Sequence, residues 1–294
     1  MPPFGRVLTA MITPFTDDGR IDEDKVARLA RHLVDNGSDG IVVAGTTGES
    51  PTLSADEKVG LFGSVKRAVG DRAMVVAGTG TYDTAESVEL TRRAADAGAD
   101  GVLAVTPYYS KPEQRGLIGH FTAIADASDL PVLLYNIPGR TGRLIEVATL
   151  AELSAHERIV AVKDAVMDID HTSDTVAAAP DLAVYSGQDS YTLAMMAVGA
   201  VGVVSVISHL AGKTVADMVH AAEQGNLDRA RKLHHILLPL CSAAFLESNP
   251  GPIKAAMSSF WEPVGAPRAP LSEATPDTVN AIRAALTILQ EATV

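Results

Sequence analysis

Eight short apolar runs recur along the chain, and a segment of helical periodicity follows each within a few residues. This alternation restricts the fold more than any other feature. The runs fall at 7–13, 40–44, 73–78, 101–106, 131–136, 159–163, 182–186 and 202–206. They are rich in Val, Ile and Leu and mostly lack polar alternation, as strands buried on both faces of a parallel sheet do. Helical patterns occupy 22–36, 54–69, 84–97, 114–127, 146–153, 169–179, 190–198 and 213–223. In the first, Val26, Leu29 and Leu33 follow Ile21 at near-helical spacing, and Gly37 ends it. The second opens on Ser54 with Glu57 three residues later, a capping box. Eight such units with short connections predict an α/β fold, a closed (β/α)8 TIM barrel over residues 1–224. An open doubly wound sheet is the alternative, and the regularity of the units favours closure. Residues 225–294 carry helical patterns at 227–245, 253–260 and 275–292 around the turn Asn249-Pro250-Gly251-Pro252. They predict a C-terminal helical extension packed on the barrel, not an independent domain.

A barrel of this kind needs a large core. The 294 residues are 47% hydrophobic, enough to build one. The net charge is −12, with 36 acidic against 24 basic side chains, which argues against nucleic acid or an anionic membrane as partner. No run approaches the ~18 apolar residues of a membrane span, and the N-terminus lacks a signal-peptide layout. A cytoplasmic protein is expected. The single cysteine, Cys241, lies in an apolar stretch and reads as a buried structural thiol. Gly78-Thr79-Gly80 lacks the third glycine and the acidic partner of a dinucleotide fingerprint, and no Walker A pattern is present. The eight histidines have no metal-ligand spacing, so no metal, nicotinamide or nucleotide is expected.

In a barrel of this class the active site lies at the C-terminal ends of the strands. Polar residues gather at those ends: Gly45-Thr46-Thr47-Gly48-Glu49-Ser50, Thr106-Pro107-Tyr108-Tyr109, Tyr135-Asn136, Lys163-Asp164 and Ser186-Gly187-Gln188-Asp189. Lys163 ends the run Ile159-Val160-Ala161-Val162. A lysine there is either a charge snorkelling to solvent or a nucleophilic amine in a dry barrel mouth, where burial disfavours the charged form. Asp164, the next residue on a strand, points to the opposite face. Condensing an amine with a carbonyl also requires proton transfers beside the nitrogen, and Tyr135 on the neighbouring strand can supply them. Thr46 and Thr47 bring hydroxyls and backbone N–H groups within reach of a carboxylate. Arg140 follows the rigid turn Ile137-Pro138-Gly139 and suits bidentate capture of a second carboxylate. A core tyrosine, a plain turn and a surface ion pair are the bland readings of these three features. Their convergence on one barrel face favours imine chemistry.

The runs GTTGES (45–50), TPYYSKP (106–112), YNIPGRTG (135–142), VKDA (162–165) and SGQD (186–189) carry a family resemblance. In order and spacing they resemble the pyruvate-dependent class I aldolase superfamily, which includes N-acetylneuraminate lyase. Within it the chain is most similar to the dihydrodipicolinate synthase family, from about residue 6 to the C-terminus. The resemblance implies condensation of pyruvate with aspartate-4-semialdehyde in lysine and diaminopimelate biosynthesis. It implies no cofactor beyond a covalent imine between Lys163 and pyruvate. Tyr135, Thr46 and Tyr109 would form the proton relay, with Tyr109 reaching into a neighbouring subunit of a homotetramer built from tight dimers. Thr47 would hold the pyruvate carboxylate, the main chain at Val204 would face the keto acid, and Arg140 would bind the semialdehyde carboxylate near Gly187. Asp164 and Gln188 depart from the residues common at their places, and both bear on the aldehyde. The family's lysine feedback site would involve Ser50, Pro51, Lys58, Tyr82, Glu86 and Tyr108. A lysine at position 58 would repel the effector's ammonium group, so a weak or absent lysine response is expected. The alternatives are a lyase of the same superfamily acting on a sugar acid or hydroxy-oxo acid, and a catalytically silent barrel with a binding role.

Overall fold

The computed structural model describes residues 2–293. Eight parallel strands close into a barrel in sequence order, with β1 paired to β8. They are β1 (Val7–Ala10), β2 (Gly40–Val43), β3 (Met74–Gly78), β4 (Gly101–Val105), β5 (Val132–Asn136), β6 (Ile159–Asp164), β7 (Ala183–Ser186) and β8 (Gly202–Ser205). The barrel helices are α1 (Glu23–Asp35), α2 (Ala55–Val69), α3 (Thr84–Asp96), α4 (Gln114–Ala125), the short α5 (Pro138–Thr141), α6 (Val147–Leu153), α7 (Ile169–Ala178), α8 (Thr192–Ala197) and α9 (Ser208–Glu223). Three more form the C-terminal extension: α10 (Leu227–Ala243), α11 (Gly251–Phe260) and α12 (Pro276–Thr293).

Each strand divides its side chains between two cores. Leu8, Val42, Val76, Leu103, Leu133, Tyr135, Ala161, Tyr185 and Val204 fill the barrel interior. The residues between them, such as Ile41, Val75, Val102, Leu134, Val162 and Val203, pack outward under the helices. Both layers are apolar, which is why the strands read as continuous hydrophobic runs. Parity then fixes direction: Lys163 shares the face of Ala161, and Asp164 shares that of Val162. Tyr185 plugs the opposite end, its hydroxyl donating to the Gly5 carbonyl at 2.8 Å.

Local signals hold where they were strong. Ser54 and Glu57 form the reciprocal capping box of α2, and Val26, Leu29 and Leu33 are the buried face of α1. Two boundaries differ from expectation by three residues or more. Strand β1 stops at Ala10, because the chain turns toward the loop after β2 and Thr13 donates its hydroxyl to the Gly48 carbonyl at 2.7 Å. Helix α9 begins at Ser208, five residues before the expected start at 213. A break at Ala211 hid its first turn from the periodicity. Gly78-Thr79-Gly80 has a packing explanation: a Cβ at Gly78 would lie 2.3 Å from the Ala44 carbonyl oxygen, and one at Gly80 2.4 Å from the Val105 nitrogen.

The extension is tied to the barrel rim. Helix α10 packs on α9 and α12, and α11 on α9 and α12. Cys241 is buried there, and burial raises its thiol pKa, as expected of a structural thiol. Among the described residues, no helix is long and apolar enough to cross a membrane.

Candidate active site

Strand register brings Lys163 and Tyr135 together. Tyr135 and Lys163 are direct partners across the β5–β6 pair, and both face the barrel interior. The Lys163 Nζ lies 4.2 Å from the centre of the Tyr135 ring. Lys163 is 5% exposed and Tyr135 4%, so the amine sits in a dry environment beside a phenol. On the other side of β6, Tyr185 is the register partner of Lys163.

Asp164 points outward, as parity requires. Its carboxylate accepts from the Val166 N–H at 3.0 Å and the Thr172 hydroxyl at 3.0 Å, and it lies 3.4 Å from His171 Nδ1. The hydrogen bond to Asp164 raises the pKa of His171, against the opposing effect of burial. Asn136, next to Tyr135, exchanges two hydrogen bonds with the backbone of Ile145. The Ile145 carbonyl is also 3.4 Å from His171 Nε2. The residues adjoining Tyr135 and Lys163 are therefore joined outside the barrel.

A cavity of about 210 Å³ opens at the C-terminal end, with Thr46, Tyr135, Arg140, Leu103 and Val105 on its wall. Lys163 does not line it directly but abuts Tyr135, which does. The loop after β2 makes this wall through two left-handed residues, Ala44 (φ 52°) and Glu49 (φ 60°). It closes on itself by Glu49 N–H to Thr46 O (3.1 Å) and Ser50 N–H to Gly45 O (3.2 Å). Thr47 is buried, and its Oγ1 accepts from Asn249 Nδ2 at 2.8 Å. Arg140 rides on α5, a single turn capped by Gly142 at φ 71°. Arg140 is exposed and makes no ion pair among the described residues.

The loop after β7 holds an internal anchor. Asp189 is buried; its carboxylate accepts from the Ser205 hydroxyl and from the N–H groups of Val206 (3.0 Å) and Ile207 (3.3 Å). Burial raises its pKa, while those hydrogen bonds and the Lys163 charge oppose the rise. It fixes the end of β8, where Val204 faces the same barrel interior as Tyr135. Gly187 donates its N–H to the Asp164 carbonyl at 2.7 Å, and a Cβ there would meet Ala165 Cβ at 2.7 Å.

Not every expected residue converges. Tyr109 sits at φ 67° with its side chain 95% exposed, away from Lys163 within this chain. Of the six expected effector residues, Ser50, Pro51 and Tyr108 line the same cavity as Thr46 and Tyr135. Tyr82 and Tyr108 meet edge to face at 5.3 Å. Lys58 is buried in α2; burial lowers its pKa and the Glu86 charge opposes this. Sequence reading missed Asn249, Lys254 and His171. Lys254 is 1% exposed, and its Nζ bonds Glu49 Oε1 (2.8 Å), Thr13 O (3.1 Å) and Ala266 O (3.1 Å). The second Glu49 oxygen accepts from the Arg268 N–H at 2.7 Å. The only sequence signal for this anchoring was an unexplained lysine in an apolar segment.

Known proteins share this fold. The profile of the Dihydrodipicolinate synthetase family matches residues 3–289. The chain belongs to this family. It is 53% identical, over 95% of its length and 94% of the relative's, to a 4-hydroxy-tetrahydrodipicolinate synthase from Heliobacterium modesticaldum. A crystal structure of the Cyanidioschyzon merolae protein with lysine bound superposes with a TM-score of 0.96 at 42% identity, covering 99% of both chains. That of a chloride-inhibited dihydrodipicolinate synthase from Acinetobacter baumannii, complexed with pyruvate, gives 0.95 at 35% identity, covering 98% of this chain and 99% of that one.

Proposed function

We propose that the protein condenses pyruvate with L-aspartate-4-semialdehyde through an imine on Lys163, giving 4-hydroxy-tetrahydrodipicolinate for lysine and diaminopimelate biosynthesis. The observation that carries this is the buried Lys163 amine 4.2 Å from the Tyr135 ring centre, at the mouth of a closed barrel in a chain of this family. The protein is a lyase of class I aldolase type. It works in the cytoplasm as a dimer of tight dimers, and the extension after residue 224 folds with the barrel as one unit.

The Lys163 amine adds to the pyruvate ketone, and loss of water from the carbinolamine gives the imine. Both steps move a proton at the nitrogen, and the Tyr135 hydroxyl, with Thr46 on the cavity wall, passes it. Tyr109 of an adjoining subunit completes that relay, which accounts for its solvent-facing position in one chain. Thr47 and the loop amides hold the pyruvate carboxylate, while the main chain at Val204 faces the keto acid. Losing a methyl proton turns the imine into an enamine, whose carbon attacks the semialdehyde aldehyde. Arg140, unpaired and exposed at the rim near Gly187, binds the semialdehyde carboxylate. The semialdehyde amine then displaces Lys163 as the ring closes, and the free enzyme returns.

Borohydride reduction in the presence of pyruvate tests the reading. Peptide mapping should find the reduced adduct on Lys163; no mass gain there sinks it. The effector group is read as giving a weak lysine response, because Lys58 already answers the Glu86 charge that an incoming ammonium would need. Half-maximal inhibition at sub-millimolar lysine would contradict this.

A further inference from the structure

The C-terminal extension reaches Thr47 through a hydrogen bond from Asn249. Asn249 Nδ2 donates to Thr47 Oγ1 at 2.8 Å, across 202 residues of sequence, and both side chains are buried. Among the described residues the Thr47 hydroxyl has no acceptor of its own, and Asn249 Oδ1 has no donor. A hydroxyl whose lone pair is taken by an N–H donor keeps its own hydrogen for another partner.

We propose that Asn249 is a positioning residue: by donating to Thr47 Oγ1, it commits the Thr47 hydroxyl to donate toward the substrate carboxylate. The inference rests on the reading of Thr47 as a pyruvate-carboxylate ligand. The loop that carries Thr47 is held independently by the buried Lys254–Glu49 pair, so Asn249 is not needed merely to keep the loop in place. What it sets is the direction of one hydrogen bond.

Asn249→Asp separates this role from packing, since the side chain keeps its shape but offers only acceptors. The Thr47 hydroxyl would then donate to the new carboxylate and turn away from substrate. The expected result is a rise of roughly 10- to 100-fold in pyruvate KM with kcat little changed, the scale of one hydrogen bond to a charged group. Asn249→Ala should raise pyruvate KM less, and should add nothing in a Thr47→Val background. Thermal unfolding of each variant reports whether the fold survives, and the Thr47→Val pair remains readable if Asn249→Asp does not fold. Thr47→Val alone leaving pyruvate KM unchanged would defeat the reading of Thr47, and this inference with it. A raised KM in Thr47→Val beside an unaffected Asn249→Asp would defeat the inference alone. Equal effects of Asn249→Ala in both backgrounds would reduce Asn249 to packing.

Discussion

Glu49 and Lys254 set the stakes at the scale of single residues. Both are essentially without solvent, and their 2.8 Å ion pair joins the β2 loop to α11. The ammonium also satisfies two carbonyls and stands 4.1 Å from the Phe15 ring centre. Such a pair gains little over apolar packing, but removing one partner strands the other. Lys254→Met should therefore destabilise the fold by about 3–5 kcal/mol, the usual cost of leaving a buried charge alone. In a chain of this length that lowers Tm by roughly 5–8 °C. An unchanged Tm by calorimetry would mean that Arg268, whose backbone N–H reaches the other Glu49 oxygen, suffices by itself.

Among elements, β6 and α7 show how the barrel wall is tensioned from outside. Asp164 on β6 meets Thr172 and His171 on α7, and His171 also reaches the Ile145 carbonyl that Asn136 holds. Because the folded-state pKa of His171 is raised, its contribution to stability is complete below about 6.5 and is lost as pH rises through the folded value. His171→Gln should accordingly cost more stability at about pH 6 than at about pH 9, measured by denaturant unfolding. A cost independent of pH would show that the ring acts only by packing. Elements of this kind also mark what the sequence revealed. The strands were legible because both faces are buried, and Lys163 was legible because it ends an apolar run. Asn249 and Lys254 were not, since their partners lie 202 and 205 residues away and follow no local period. The start of α9 was masked by its own break at Ala211.

For the whole molecule, Tyr109 is the open end. An aromatic side chain 95% exposed at positive φ gains nothing by burial within its own chain. If it completes a neighbour's relay, Tyr109→Phe and Lys163→Ala should each be nearly inactive alone. Mixed and allowed to exchange subunits, they should regain activity, because each mixed pair contains one site with both groups intact. Absence of recovery, with exchange verified by native mass spectrometry, would place Tyr109 outside the relay. The Asn249–Thr47 contact bears on biosynthesis itself. Chains emerge from the ribosome N-terminus first, so β2, β5 and β6 can be complete while Asn249 and Lys254 are still in the exit tunnel. Such a nascent barrel has Lys163 and Tyr135 in register but lacks the two residues that hold the β2 loop. The β2 loop therefore receives these two anchors only after the strands that carry Lys163 and Tyr135 have been made.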